Sequence, residues 1–242
     1  MIYAVEVSSP AVTRAKTTAK PRSRTPRGLD RAAILEAAFA LFDEAGEAGF
    51  SVRKVGAAMG IDPMTVLHHF KSKEELLRQI ADRALGSIEL PKPSGSWQDD
   101  LKNVADAYRR LAHRHPRLFH LHFRFHATGA ADHTSSEIVY RALLDAGLAT
   151  KEAAGLGLAF YAFVLGFALA EIEGLLRPLE GTEEAEMAAL DAQQFPATRR
   201  LLPAFRALEP GPAFDDAVGA FIAGIAVQAQ KAAAPQLSLS NT

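Results

Sequence analysis

Between residues 51 and 73 the chain gathers side chains suited to gripping a polyanion: Ser51, Arg53, Lys54, Asp62, Pro63, Met64, Thr65, His68, His69 and Lys73. Each type has a plausible task on duplex DNA. The planar fork of Arg53 matches the acceptor pair on a guanine edge, and Pro63 and Met64 can press on a thymine methyl. Thr65, His69 and Lys73 can donate to phosphate oxygens, which fix register without reading sequence. Polar residues on a short helix also occur on any solvated helical corner. The elements that carry these residues therefore have to decide between the two readings.

A second cluster lies at residues 113–126, HRHPRLFHLHFRFH, with five histidines and three phenylalanines. His122 and His126 have the i, i+4 spacing that chelates a metal on one helix face. No cysteine or carboxylate accompanies them, and Arg114, Arg117 and Arg124 would oppose a cation. No metal and no cofactor is therefore expected. The expectation is a mostly apolar small-molecule pocket lined by Trp97, Val104, Tyr108, Leu111, Phe119, His122, Phe123 and His126. A solvated surface for the histidines is the alternative.

The first cluster sits on a recognisable frame. Asp30 caps a helix expected over 31–45, with Ile34, Leu35, Ala38, Phe39, Leu41 and Phe42 at helical spacing. Ser51 caps a short helix over 52–59, stopped by Gly60. Asp62, with Pro63 in the first turn, opens the next helix, to about His69. Ser72 and Glu75 form a capping box for a helix over 73–88. Two short helices joined by a glycine turn and braced by two longer ones outline a helix-turn-helix, which lays its second helix in the major groove. Val66, Leu67 and Phe70 are expected to face inward.

Beyond the linker at 90–96 (LPKPSGS) the spacing predicts helices over 97–114, 116–126, from 135 or 136 to 147, 150–176 and 214–231, with a short one in 196–208. Residues 127–134 read as a loop and the acidic 177–194 as an irregular segment. No alternating strand pattern occurs, so the fold class is all-α. Four parts follow: an arm at 1–28, a DNA-binding domain at 29–90, an effector-binding and dimerisation domain at 96–233, and a tail at 234–242. The arm carries six basic and no acidic residues between 11 and 28, although the whole chain has a net charge of only −1. It reads as a disordered strand able to touch phosphate or the minor groove. The chain has no cysteine, which excludes disulfides and thiolate chemistry. The first ten residues lack the basic-then-apolar order of a secretory signal, so a cytoplasmic location is expected. The uncharged run 153–170 only just reaches spanning length and reads as a helix buried in a protein interface rather than a membrane.

The segments ILEAAFALFDEAG, FSVRKVGAAMGI and TVLHHFKSKEELL, within residues 30–88, resemble the tetracycline-repressor family of bacterial transcription regulators. The tract Thr65, Val66, His69, Phe70, Ser72, Lys73 and Leu76 carries that family's spacing. The resemblance implies DNA-facing roles for Ser51, Arg53, Pro63, Met64, Thr65, His68, His69 and Lys73. Leu67 stands where the family usually has an aromatic, and a phosphate contact goes with it. SWQDDLKNVADAYR and FVLGFALAEIE extend the resemblance into the second half. There it implies a four-helix dimer bundle, with Gly155, Ala159, Phe163, Phe167, Phe221 and Ile225 at the interface. Val104, and Gly86 or Ser87, replace the polar groups expected to contact tetracycline–magnesium, so the effector implied is a different small molecule.

The combined expectation is a non-enzymatic homodimeric repressor that binds a palindromic double-stranded DNA operator and is released by a small molecule. Its competitors are a His-rich metal-binding helical protein and a ligand-independent DNA-organising protein.

Overall fold

The structure, a computed structural model, describes residues 30–125 and 129–233. His126 and the arm and tail calls at 1–28 and 234–242 lie outside the described residues. Eleven helices and no strands occur among the described residues: α1 (Arg31–Gly49), α2 (Val52–Met59), α3 (Pro63–Phe70), α4 (Lys73–Leu85), α5 (Trp97–Arg114), α6 (Pro116–Arg124), α7 (Ala130–Asp145), α8 (Thr150–Ile172), α9 (Gly181–Ala189), α10 (Pro196–Arg206) and α11 (Pro210–Ala233).

Local chemistry explains where the first helices begin. Asp30, Ser51, Asp62, Ser72 and Ser96 each turn a side-chain oxygen onto a backbone N–H two or three residues on. Each satisfies one of the orphan donors at a helix start. Other bounds differ from expectation for physical reasons. The first helix is interrupted at Gly46 (φ 64°) as expected but resumes to Gly49. α4 stops at Leu85 rather than 88, capped at Gly86. α7 starts at Ala130, so residues 130–134 of the expected loop are helical; Asp132 lies in its first turn, where a carboxylate favours the helix. α8 ends at Ile172 because Gly174 (φ 77°) turns the chain, with Leu175 N–H bonded to Ala170 O at 2.8 Å. The acidic segment forms α9, held by Arg177–Glu183 and Arg206–Glu184 pairs, both 2.6 Å. α11 opens four residues early, at Pro210, a residue tolerated in a first turn.

Two hydrophobic cores result, and they exchange side chains. The first joins Ile34, Phe42, Val55, Val66, Phe70, Leu76 and Ile80 from α1–α4, and takes in Leu118, Leu121 and Phe125 from or just after α6. The second joins Val104, Tyr108, Leu143, Phe160, Val164, Phe214 and Val218, and takes in Leu85 from α4. α8 is long and apolar enough to cross a bilayer by length and composition, and its inner side packs against α5, α7 and α11.

Candidate nucleic-acid interface

The corner between α2 and α3 is set by one close approach. A Cβ on Gly56 would lie 2.8 Å from Ile61 O, so a side chain there would push against backbone. Gly56 O accepts the Ile61 N–H at 2.9 Å, and Gly60 (φ 67°) closes α2 in the left-handed region. Val66 and Phe70 then anchor the inner face of α3 with no exposure. Leu67, expected inward, is only half-buried. The outer face carries Met64 (67% exposed), His68 and the half-buried Thr65 and His69, with the two imidazole centroids 5.7 Å apart. Exposed Arg53 and Lys73 flank it.

Three of the residues expected to face DNA also have structural partners. The Lys54 ammonium donates to Gly49 O at 2.6 Å and so ties α2 to the end of α1. Asp62 accepts the Met64 N–H at 2.8 Å as the α3 cap, and Ser51 caps α2 in the same way. Sequence reasoning missed Lys71. Its backbone (φ 62°, ψ −38°) forms a γ-turn closed by Ser72 N–H on Phe70 O at 2.6 Å, a strained conformation for a residue with a Cβ. Lys71 is exposed, as is Lys73, whose ammonium lies 5.9 Å from the centre of the Phe50 ring. Nothing in the residue type signals the turn.

In the second half, Val104, Tyr108, Leu111, Phe119 and His122 are all buried. Trp97 is half-buried against this core. Phe123 points outward at 44% exposure, a correction to its expected place in the lining. Helical phase explains it: α6 turns Leu118, Leu121 and Phe125 toward the first core and Phe119 and His122 toward the second, which leaves Phe123 for solvent. The polar centre of the second core includes two residues the sequence did not single out. Ser135 donates to Asp132 O at 2.9 Å and accepts from the Tyr161 hydroxyl at 3.2 Å. Its one proton is thus used, so the Tyr108 hydroxyl, 2.8 Å away, is the donor in that pair. Burial holds both phenols protonated, with Tyr161 pushed up to about 12 and Tyr108 also raised well above the usual value. His122 lies against Tyr108 (centroids 5.6 Å) and stacks on Phe119.

The other described histidines of the tract meet separate carboxylates: His113 with Glu171 at 3.1 Å, His115 with Asp43 at 2.8 Å and His120 with Glu173 at 2.8 Å. Among the described residues no group of three or more His, Asp or Glu converges on one point. The His115 and His120 pairs help make α6 a strut between the two halves. Arg124 reaches Glu47 of α1 at 2.8 Å and Glu74 of α4 at 2.7 Å, and Arg117 donates to Asp43 O at 3.0 Å.

The interface expectations divide. Gly155 and Ala159 are exposed, in line with Leu158 (66%), Ala162 and Gly166 on α8 and with Gly219, Ala223 and Val227 (49%) on α11. An added Cβ at Gly155, Gly166, Gly219 or Gly224 would meet nothing within 4 Å. Ile225, by contrast, is buried (1% exposed) inside its own chain, which corrects its expected place. Phe163 stacks on Phe221 at 5.3 Å, and Phe167 meets Phe214 at 5.3 Å. The half-buried Phe163, Phe167 and Phe221, with fully buried Phe214, bind α8 to α11 within one chain. Helical period gives the angle around an axis but not which neighbour occupies it.

Comparison with known proteins agrees with this geometry. Residues 34–80 match the family model described as bacterial regulatory proteins, tetR family, and residues 90–229 match the tetracyclin repressor-like C-terminal domain. An HTH-type transcriptional regulator of Saccharopolyspora erythraea is 30% identical over 76% of this chain and 79% of its own length. A transcriptional regulator of Streptomyces coelicolor A3(2) of known structure is 30% identical, covers 84% of this chain and all of its own, and superposes with a TM-score of 0.68. ActR of Streptomyces coelicolor, crystallised with (S)-DNPA, shares the fold with a TM-score of 0.72 at 23% identity, over 83% of this chain and 98% of its own.

Proposed function

The chain belongs to the tetracycline-repressor family of DNA-binding transcription regulators, and on that footing we propose a cytoplasmic, homodimeric repressor of a palindromic operator. The observation that carries the reading is the outer face of α3, with Met64 and His68 exposed and exposed Arg53, Lys71 and Lys73 in the segments before and after it, while Val66 and Phe70 lock its inner face. Arg53 reads a base edge, Met64 and Pro63 meet a methyl, and Thr65, His68, His69, Lys71 and Lys73 hold phosphates. The arm at 11–28 adds salt-dependent affinity. The open small-residue face of α8 and α11 takes a second copy, which sets two α3 helices about 34–36 Å apart, one DNA turn, or a multiple of it. A small molecule that enters among Tyr108, Tyr161, Phe119 and His122 displaces α6, and with it α1 and α4, so effector and operator oppose each other reciprocally.

Footprinting across a salt titration tests this reading. Arg53→Ala is expected to relax preference at one base position, whereas Lys73→Ala weakens every site alike and lowers the salt slope by about one. Identical behaviour of the two variants would remove the assigned roles. Leu158→Asp on the open face is expected to give monomers in sedimentation and to abolish operator binding; a dimeric variant would reject the proposed subunit contact.

A further inference from the structure

A cleft of about 350 Å3 opens between the two halves, away from the packed second core. One wall is the end of α1, with Phe42, Ala45, Gly46, Glu47 and Ala48; the other is α6, with Arg117, His120, Leu121 and Arg124. Phe42 and Leu121 make an apolar floor, and the cationic side chains stand at the rim. Three of the four ionisable groups are committed: Arg124 with Glu47 and Glu74, and His120 with Glu173. Arg117 is the exception. Among the described residues its one hydrogen bond is from Nη1 to the backbone carbonyl of Asp43, and it meets no carboxylate there. Gly46 gives its side chain room, since a Cβ there would come 3.2 Å from Arg117 Cδ.

We propose that this cleft is a second ligand site, for a small organic carboxylate with an aryl or short acyl body. A guanidinium with free N–H groups on one edge matches a carboxylate in bidentate fashion. The apolar floor matches the body, and the volume falls within the range of small-molecule sites. A bare inorganic anion would leave the floor wet, and a neutral apolar ligand would leave the Arg117 charge unanswered. Because one wall moves with α1 and the other with α6, occupancy biases the spacing between the halves and shifts operator affinity without using the Tyr108 region.

Calorimetric titration of the full chain with phenylacetate and with phenylacetamide tests the site. The expected result is saturable binding of phenylacetate, about tenfold or more weaker binding of the amide, and a similar loss in Arg117→Gln. Ala48→Glu, which sets a carboxylate in the cleft, is expected to abolish binding while its thermal melt shows the fold retained. No saturable binding of phenylacetate, equal affinity for the amide, or an unaltered Arg117→Gln would overturn the site. A chain that binds phenylacetate through Arg117 but no DNA would instead count against the regulator reading alone. Saturating phenylacetate that leaves operator affinity unchanged would overturn the coupling.

Discussion

The two cores are built by different rules. Around α1–α4, each start is secured by a residue two or three places away: Asp30 on Ala33, Ser51 on Lys54, Asp62 on Met64 and Ser72 on Glu75. In the second half the polar bonds cross long stretches of chain, as in Tyr108–Ser135, Tyr161–Ser135 and Arg109–Glu171. In the DNA-facing unit the helix starts are set by local rules, while its core still borrows Leu118, Leu121 and Phe125 and one long-range pair, Arg83–Glu36 at 2.6 Å, spans α4 and α1. The effector-facing unit holds its centre by agreements among distant helices. Such a centre can be rearranged by something that enters it, which suits a sensor.

The largest expected effect probes whether the cores stand apart. Phe70→Ala empties a site with no exposure in the first core and Phe160→Ala does so in the second; each is expected to cost about 3–5 kcal/mol in urea melts. Because α6 feeds both cores, calorimetry should record one transition in either variant. Two separated transitions would break the picture of exchanged side chains.

Next in size is a contrast between two serines. Ser135→Ala removes the acceptor of both the Tyr108 and Tyr161 hydroxyls and is expected to cost about 1–3 kcal/mol, most of it recovered on adding Tyr108→Phe and Tyr161→Phe together. Ser72→Ala removes an exposed cap from α4 and should cost about 1 kcal/mol, with no second-site recovery available. Double-mutant analysis of chemical melts checks both. Equal costs and equal recovery would erase the distinction between local and distant bonding.

The smallest effect concerns pH. The bidentate Arg109 guanidinium, with bonds of 2.8 and 2.6 Å, holds the Glu171 carboxyl below its ordinary value of 4.5. A carboxylate lowered on folding stabilises the native state fully above the unfolded value, and that contribution fades as pH falls through the lower folded value. Glu171→Gln should therefore flatten the acid limb of a stability–pH curve below about pH 4.5 and leave its shape near neutrality unchanged. An acid limb unaltered by the substitution would show that the pair does nothing for the second core.

These contrasts also explain what could be read in advance. Caps, glycine stops and 3.6-residue spacing are written into neighbouring residues, so α2, α3 and α5 fall where the sequence places them, and Val66 and Phe70 face inward as expected. Family membership and the all-α class were likewise legible in residues 30–88. The outward face of α8 was harder to read, because a helix apolar all round does not say which side its own chain covers; hence Gly155 and Ala159 proved exposed while Ile225 on α11 did not. Ser135 reads only as a possible helix start and Tyr161 goes unnoticed, because a lone hydroxyl acquires meaning only from a partner on another helix. Lys54 and Asp62 look like surface polar groups until the nearby backbone atoms they serve are seen.

The lodging of Leu118, Leu121 and Phe125 under α1–α4 has a practical corollary for anyone splicing regulators. A hybrid joined in the proline-rich linker near residue 90 would hand the donor's first four helices a foreign lining for their underside. The natural crossover lies past residue 125, where the head keeps its own keel; a graft made there should express as a tractable protein when the shorter one precipitates.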